Sequence, residues 1–482
     1  MRFLFIQDTI FDWPGTMSLS AYAKAQGHEV DIVCSQDAKT VLGEVDRFKP
    51  GLVGFNTITG QHHYAKDMAK RVKEAFPEVR TIAGGPHATF FPQIVQEPQF
   101  DFVGVNEFEY PLGMLLERLD KGAQTDDIPG LYCKGDDGQM IANPPSLFPT
   151  DLDALPDMDR ELYLKYTGKV SNVFFVGRGC PYKCSFCFNH QSHKQFGDNR
   201  SVRWRSARRV IDEIKAVRDK YGLEKVRFQD DTFTLNKRYT QAFLTLYKEE
   251  IGLPYGANFR AEHMTRDLAR LLKDSGADYV AASLETADEE MRFKVLKKTV
   301  PGRKYHEAAR NLKEVGLNFG IGNMLGLPGE TLEQGFQTIE MNIEMGATMP
   351  WFSIFQPYPS TSLAQYTQEL YNLDPIDADD FVCPDYHSNS LLPGKEAKQL
   401  SNLHKFAVWM VKYPVITPLV RVLVKLPPNP IFTLIHRVSH LFTFAAYNDG
   451  DLWKTLKLGL SFEFAKLKTS LMTKHFGKAS GT

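Results

Sequence analysis

Three cysteines within eight residues constrain this 482-residue chain more than any other feature. The segment Gly177-Arg-Gly-Cys180-Pro-Tyr-Lys-Cys184-Ser-Phe-Cys187 continues directly from an apolar run, 173–177, that reads as a strand. No regular helix or strand points three sulfurs spaced this way at one centre, so the segment must be a loop. Three thiolates at this spacing hold three irons of a cubane cluster and leave the fourth iron open to a substrate-like group. Zinc is the competing reading, because it takes four ligands and His190 or His193 could supply the fourth. Cys34, Cys133 and Cys383 stand apart, which is no disulfide framework of a secreted domain. Cys34 and Cys133 read as core residues, and Cys383 has no assignable role.

Strand and helix patterns alternate twice around this loop. In 1–148, strands at 2–6, 29–34, 52–56, 81–83 and 102–105 are separated by helical patterns such as 18–25 and 64–75. This predicts an α/β architecture with a doubly wound, Rossmann-like parallel sheet. Ligands of such sheets lie beyond the carboxyl ends of the strands. Thr57, Thr59, Gly84, Gly85, His87, Asn106 and Glu107 fall on those loops. Residues 149–168 are proline-rich punctuation and read as a linker. In 169–375, strands at 173–177, 225–228, 256–259, 279–284, 318–324 and 351–355 predict a partial (β/α)6 barrel, with chemistry at the carboxyl ends of its strands. From 376 onward the chain reads as a helical, apolar and basic C-terminal region.

Charge narrows the partners. Formal net charge is −1, against bulk binding of nucleic acid. Residues 401–482, however, carry eleven Lys/Arg against three Asp/Glu. Their apolar faces, 431–444 and 456–464, suit a membrane-surface helix or a lid over a lipid-like substrate. The alternative is a helical cap on the barrel. No apolar run of 18 residues exists and the N-terminal run is short for a signal peptide, so a cytoplasmic protein, peripheral to a membrane at most, is expected.

Cys180-x3-Cys184-x-Phe186-Cys187, with its aromatic residue before the third cysteine, resembles the signature of the radical S-adenosylmethionine (SAM) superfamily. The resemblance implies a 4Fe–4S cluster on Cys180, Cys184 and Cys187. It also implies SAM chelated by the free iron and cleaved to a 5′-deoxyadenosyl radical by an external flavodoxin- or ferredoxin-type reductant. By the same resemblance Phe186 belongs to the SAM set, and Asp230 or Asp231 accepts from the SAM ammonium. Arg260 lies near its carboxylate, Ser283 and Glu285 take the ribose, and the backbone at Gly326 approaches adenine. Each signal alone would be a turn or a helix cap. Their order at successive strand ends makes the set specific.

Gly27-His28-Glu-Val30, Gly84-Gly85-Pro86-His87-Ala88-Thr89 and Ile128-Pro129-Gly130-Leu131 resemble the cobalamin-binding domain of the subfamily that holds cobalamin-dependent methylases and the anaerobic magnesium-protoporphyrin ester cyclase. This implies cobalamin contacts by the loop residues named above. Two features depart from the pattern. No Asp-x-His-x-x-Gly motif offers a ligand to cobalt. Asn106-Glu107-Phe108-Glu109 stands where relatives carry Gly-Glu-Gly-Glu, so Phe108 is expected to crowd a corrin-facing loop. His28 reads as structural, and His62-His63 as surface residues for which no third metal ligand can be placed. The expected function is cobalamin-dependent methylation of an unactivated carbon on a large substrate. The alternatives are radical SAM cyclisation, carbon–carbon coupling or rearrangement without cobalamin, and a non-enzymatic iron–sulfur electron-transfer module.

Overall fold

The computed structural model describes residues 1–146, 148–196, 202–382 and 389–447, with side chains to residue 441. Cys383 and the apolar face at 456–464 lie outside the described residues.

The N-terminal part runs β1 (Arg2–Gln7), α1 (Pro14–Ala25), β2 (Glu29–Cys34), α2 (Ala38–Phe48), β3 (Leu52–Asn56), α3 (His62–Ala75), β4 (Arg80–Gly84), α4 (Pro86–Phe90), β5 (Phe102–Gly104), α5 (Glu109–Asp120), β6 (Leu131–Lys134) and β7 (Met140–Ala142). The strands form one sheet in the order β2-β1-β3-β4-β5-β6-β7. The first five are parallel, as the sequence predicts. The antiparallel β6 and β7 at the edge are not in the sequence reading, being too short to show a period. Phe3, Leu4, Phe5 and Ile6 of β1 are all buried, because helices cover both faces of a parallel sheet and remove the usual alternation. Val41, Val45, Met68 and Val72 of α2 and α3 fill one side. Met17, Leu112 and Leu115 of α1 and α5 fill the other. The stretch read as a linker ends in α6 (Leu164–Thr167). Its Leu162 and Tyr163 join the second of these cores, and Tyr163 Oη donates to Gln7 Oε1 at 2.8 Å.

The chain continues through β8 (Val173–Phe174), β9 (Gly177–Arg178), α7 (Phe188–Phe196), β10 (Arg203–Trp204), α8 (Ala207–Tyr221), β11 (Val226–Phe228), α9 (Lys237–Glu250), β12 (Tyr255–Asn258), α10 (Arg266–Asp274), β13 (Ala277–Glu285), α11 (Gly302–Glu314), β14 (Asn318–Leu325), α12 (Leu332–Met345), β15 (Met349–Ile354) and α13 (Ser362–Tyr371). Three further helices follow, α14 (Lys395–Lys412), α15 (Thr417–Leu423) and α16 (Pro430–Tyr447). The chain forms two compact units. One comprises 1–282, 289–319 and 356–385, and the other comprises 283–288, 320–355 and the chain from 386 on.

In the first unit β8, β11, β12 and β13 lie side by side and parallel. Here α8 starts at Ser206, whose hydroxyl accepts from Arg209 N, and stops at the left-handed Gly222. In the second unit β14 pairs in parallel with β15. Leu403 and Phe406 of α14 pack with Phe336, Ile339 and Phe352, so this part of the basic region is a helical cap on α12 and β15. Asn402 Nδ2 donates to the carbonyls of Val424 and Leu426 at 3.1 and 2.8 Å, which closes the end of α15. No helix among the described residues is long and apolar enough to cross a membrane.

Candidate active site

The cysteine loop leaves β9 through Gly179, whose φ of +95° lies in the left-handed region. Ser185 pins it. Its N donates to Leu296 O at 3.0 Å, its Oγ to Val295 O at 2.7 Å, and its carbonyl accepts from Leu363 N at 3.0 Å. Burial pushes the Cys180 and Cys187 thiols up, Cys187 to about 12, and Asp231 and the neighbouring cysteines act in the same direction. Three mutually close thiols beside a carboxylate ionise readily only around a strongly positive group. Three thiolates on one loop are the protein donor set of a cubane cluster with one open iron.

The neighbouring strand ends divide the expected SAM residues by role. Asp230 is buried, and its Oδ1 accepts from the backbone N–H groups of Val176 and Gly177 at 3.0 and 2.9 Å. Burial outweighs these bonds and pushes its carboxyl up to about 7. Asp230 thus fastens the β8–β9 turn. Asp231 is exposed and accepts from Asn189 Nδ2 at 3.1 Å. Phe186 is half-buried in the same loop. The Arg260 guanidinium lies 3.4 Å over the Tyr182 ring, and its Nε donates to Glu262 Oε1 at 2.7 Å. Tyr182 Oη and Thr234 Oγ1 bond the two nitrogens of His263, each at 3.1 Å. This chain ties the cysteine loop to the ends of β11 and β12. The sequence reading missed Tyr182, Glu262 and His263. The Arg-x-Glu-His spacing just after a strand was the available signal.

Ser283, Glu285 and Gly326 belong to the second unit. Ser283 is exposed. Glu285 is buried with a φ of +73°, an uncommon backbone for a residue with a Cβ. A Cβ on Gly322 would lie 3.1 Å from Ser283 Oγ, so glycine keeps this strand end open. The Gly326-Leu-Pro-Gly329 turn is held by Glu330, which accepts from the N–H groups of Gly326 and Leu327. Burial pushes Glu330 up to about 8, and no sequence signal marked it.

Asp231→Ala is expected to weaken SAM binding about ten- to a hundredfold with the cluster intact, since a charge-assisted hydrogen bond contributes about 1.5–3 kcal/mol. Equilibrium SAM binding with the cluster's absorbance as control checks this. Unchanged affinity would remove Asp231 from the pocket.

On the N-terminal side, several expected cofactor contacts are structural. Thr57 is fully buried. Its Oγ1 donates to Gly84 O at 2.8 Å, and its carbonyl accepts from His87 N at 3.0 Å. His87 is also fully buried, with Nδ1 bonded to Thr59 Oγ1 at 3.2 Å. These three residues hold the β3 and β4 loops together. Gly85 is required by shape, because at φ +92° a Cβ would fall on the Asn56 side-chain oxygen and 2.8 Å from Thr57 O. Gly84 meets no such limit; its nearest neighbour would be 3.9 Å away. Asn106 adopts φ +70°, a conformation that asparagine tolerates.

Glu107 pairs with Arg178 at 2.8 Å and with Arg203. Burial would raise its carboxyl, but the Arg203 and Arg178 guanidiniums hold it below the usual range. Arg178 further bonds Glu109 at 2.8 Å, and Glu109 accepts from Ser18 Oγ at 2.9 Å. Phe108 is buried against Gly104. Gly54, Gly84, Gly104 and Asn106, with Phe5 and Phe108, line a largely apolar cavity of about 440 Å³. A Cβ on Gly54 or Gly104 would meet Phe3 or Phe108, whereas Gly84 has open space beside it, and the size and apolar lining of the cavity fit part of a large cofactor.

His62 is fully buried, contrary to the surface reading. It stacks on His87 with ring centroids 3.8 Å apart and planes 10° from parallel. Asp379 Oδ1 lies 3.7 Å from His87 Nε2 and 4.0 Å from His62 Nε2. His62 Nδ1 accepts from Gly60 N at 3.3 Å, so its Nε2 carries the proton and donates to Asp379 O at 3.2 Å. The three groups are close enough for an ion. Lone pairs of imidazole lie in the ring plane, however, so two cofacial rings cannot converge on one metal, and the cluster is a clamp on segment 376–382. Burial drops His62 from 6.5 to about 4 and His87 to about 3. The unfolded chain therefore binds more protons below pH 6.5, and stability falls as pH drops from there toward 4. The expected slope is at most about 1.4 kcal/mol per pH unit for each ring. Unfolding midpoints across this range, against a His62→Asn/His87→Asn variant with a flatter profile, check it.

The comparisons with known proteins agree with this geometry. The radical SAM superfamily model matches residues 174–341, and the B12 binding domain model matches residues 9–116. The chain is 30% identical over 345 residues to an uncharacterized methyltransferase of Pyrococcus horikoshii, covering 70% of this chain and 72% of that one. It is 26% identical over 417 residues to the anaerobic magnesium-protoporphyrin IX monomethyl ester cyclase of Rubrivivax gelatinosus, covering 82% and 74%. Among solved structures, the cobalamin-dependent S-adenosylmethionine radical enzyme OxsB has the same fold, with a TM-score of 0.64 at 15% identity over 100% of this chain and 81% of that one. The chain belongs to the radical SAM superfamily, in the group of cobalamin-dependent methyltransferases and magnesium-protoporphyrin cyclases that carry an N-terminal B12 binding domain.

Proposed function

We propose that this chain is a cobalamin-dependent C-methyltransferase that acts on an unactivated carbon of a large, apolar small molecule. The observation that carries it is the continuity between the two cofactor regions of the first unit. Arg178, two residues before Cys180, is bonded to Glu107 and Glu109 of the loop beside the cavity. When bound, a 4Fe–4S cluster delivers an electron from a flavodoxin- or ferredoxin-type donor to SAM, and cobalamin carries a methyl group. Cys180, Cys184 and Cys187 hold the cluster. Asp231 accepts from the SAM ammonium and Arg260 neutralises its carboxylate. Ser283 and Glu285 take the ribose, and Gly326 brings backbone toward adenine. The cavity lined by Gly84 and Gly85 would hold part of cobalamin, with small residues there letting backbone approach a large flat ligand.

The test is anaerobic reconstitution with iron, sulfide and hydroxocobalamin, followed by gel filtration. About four irons per chain are expected, with a retained corrin spectrum and reductive formation of 5′-deoxyadenosine. Iron and 5′-deoxyadenosine without retained corrin would replace this reading with a radical SAM enzyme independent of cobalamin.

A further inference from the structure

We propose that the outer face of α15 and α16 docks on an anionic phospholipid membrane, lying in its surface without crossing it. The inward face of α15 is fixed. Val420 and Val424 are buried, and Arg421 is committed to Glu333 and Glu340 of α12 at 2.7 and 3.2 Å. What remains outward is apolar. Leu419 and Val422 lie three residues apart on one side of α15, and exposed Val415 just before the helix and Leu426 just after it extend the apolar surface, Val415 at 86% exposure. In α16, Phe432, His436 and Ser439 face inward, whereas Ile431, Leu434 and Val438 face out, Ile431 at 67% exposure. Stripes of this kind on a folded chain mark interaction sites.

Charge selects the partner. Residues 401–447 hold five Lys/Arg and no Asp/Glu. Lys412, Lys425 and Arg437 are exposed beside the apolar positions. Tyr413, 56% exposed, stacks with Trp409 at 6.1 Å between centroids, and amphipathic rings favour the headgroup level of a bilayer. An apolar stripe flanked by Lys412, Lys425 and Arg437, with the Glu333 and Glu340 carboxylates neutralised by Arg421, matches acyl chains beneath anionic headgroups. A second copy of this face would bring like charges together. Residues 448–482, with six Lys against three Asp/Glu, are a poor electrostatic complement for the same reason.

The test is co-sedimentation of the full chain with vesicles of phosphatidylcholine alone or with 30–40% phosphatidylglycerol (roughly the charge density at which basic segments bind), at low and high salt. The chain is expected to partition at least tenfold more strongly onto the anionic vesicles at low salt. Leu419→Glu/Leu434→Glu is expected to lower that binding at least tenfold while SAM cleavage is unchanged, because both positions are exposed and outside the cofactor regions. Three outcomes overturn the proposal. The full chain fails to bind either vesicle, the double variant binds as well as the parent, or sedimentation velocity shows that the substitutions dissolve a dimer in a protein without vesicle affinity.

Discussion

Alanine at any one of Cys180, Cys184 or Cys187 is expected to abolish reductive SAM cleavage and remove the cluster. With each thiolate proposed as one of three protein ligands, losing one would leave two irons without protein bonds. The surrounding loop does not compensate, because its backbone is already committed. Ser185 is tied to Val295, Leu296 and Leu363, and Cys187 N to Cys184 O at 3.1 Å. Iron content, the near-400 nm absorbance and 5′-deoxyadenosine release (about a thousandfold lower or below detection for such a loss) read the result. Retained cleavage in any of the three variants, or one equivalent of zinc in place of iron, would refute the cluster assignment. Asp230→Ala is a useful contrast. It leaves the N–H groups of Val176 and Gly177 without their partner, so it disturbs the loop's origin while every ligand is present.

Arg178→Met is the second large effect expected. The guanidinium serves two carboxylates at once, Glu107 and Glu109, whose side chains are 17% and 5% exposed. Without it Glu107 keeps Arg203, but Glu109 is left with the Ser18 hydroxyl. Breaking a buried pair by removing one partner costs about 3–5 kcal/mol, and the lower end applies because Arg178 is itself partly exposed. Arg178→Lys keeps the charge but loses the forked geometry, so it falls between parent and Met variant. Anaerobic urea unfolding at neutral pH measures the difference. The Glu107 carboxyl is held low in the folded state, so its contribution is present above its unfolded value and is lost as pH falls through the folded one. The gap between parent and variant therefore narrows in acid. A variant as stable as the parent would show that the network does not join the two loops energetically. The same substitution is expected to weaken cobalamin retention, since Glu107 and Asn106 border the cavity.

Much of this protein is written locally. The five parallel strands of the first sheet and the strands at 226–228, 255–258 and 318–325 follow from apolar runs bounded by turn residues, and such patterns act over a few positions. The cysteine spacing alone required a loop ligand set. Its separation from mononuclear zinc rests on the match to the radical SAM superfamily over residues 174–341, which extends far beyond the spacing. Tertiary structure decided what each polar group is bonded to and how far it is buried. Asp230 and Asp231 are adjacent and chemically identical, yet one is spent on backbone N–H groups and the other is exposed. Thr57, His87 and Glu107 sit on the loops the topology predicts, yet Gly84, Thr59 and two arginines claim them first. His62 looked like a surface residue until Asp379, 317 positions later in the chain, closed over it. Propensity and periodicity are properties of neighbours along the chain. The partner of a buried polar group is set by residues far away in sequence, because a buried donor or acceptor must find whichever complement the packed fold brings to it.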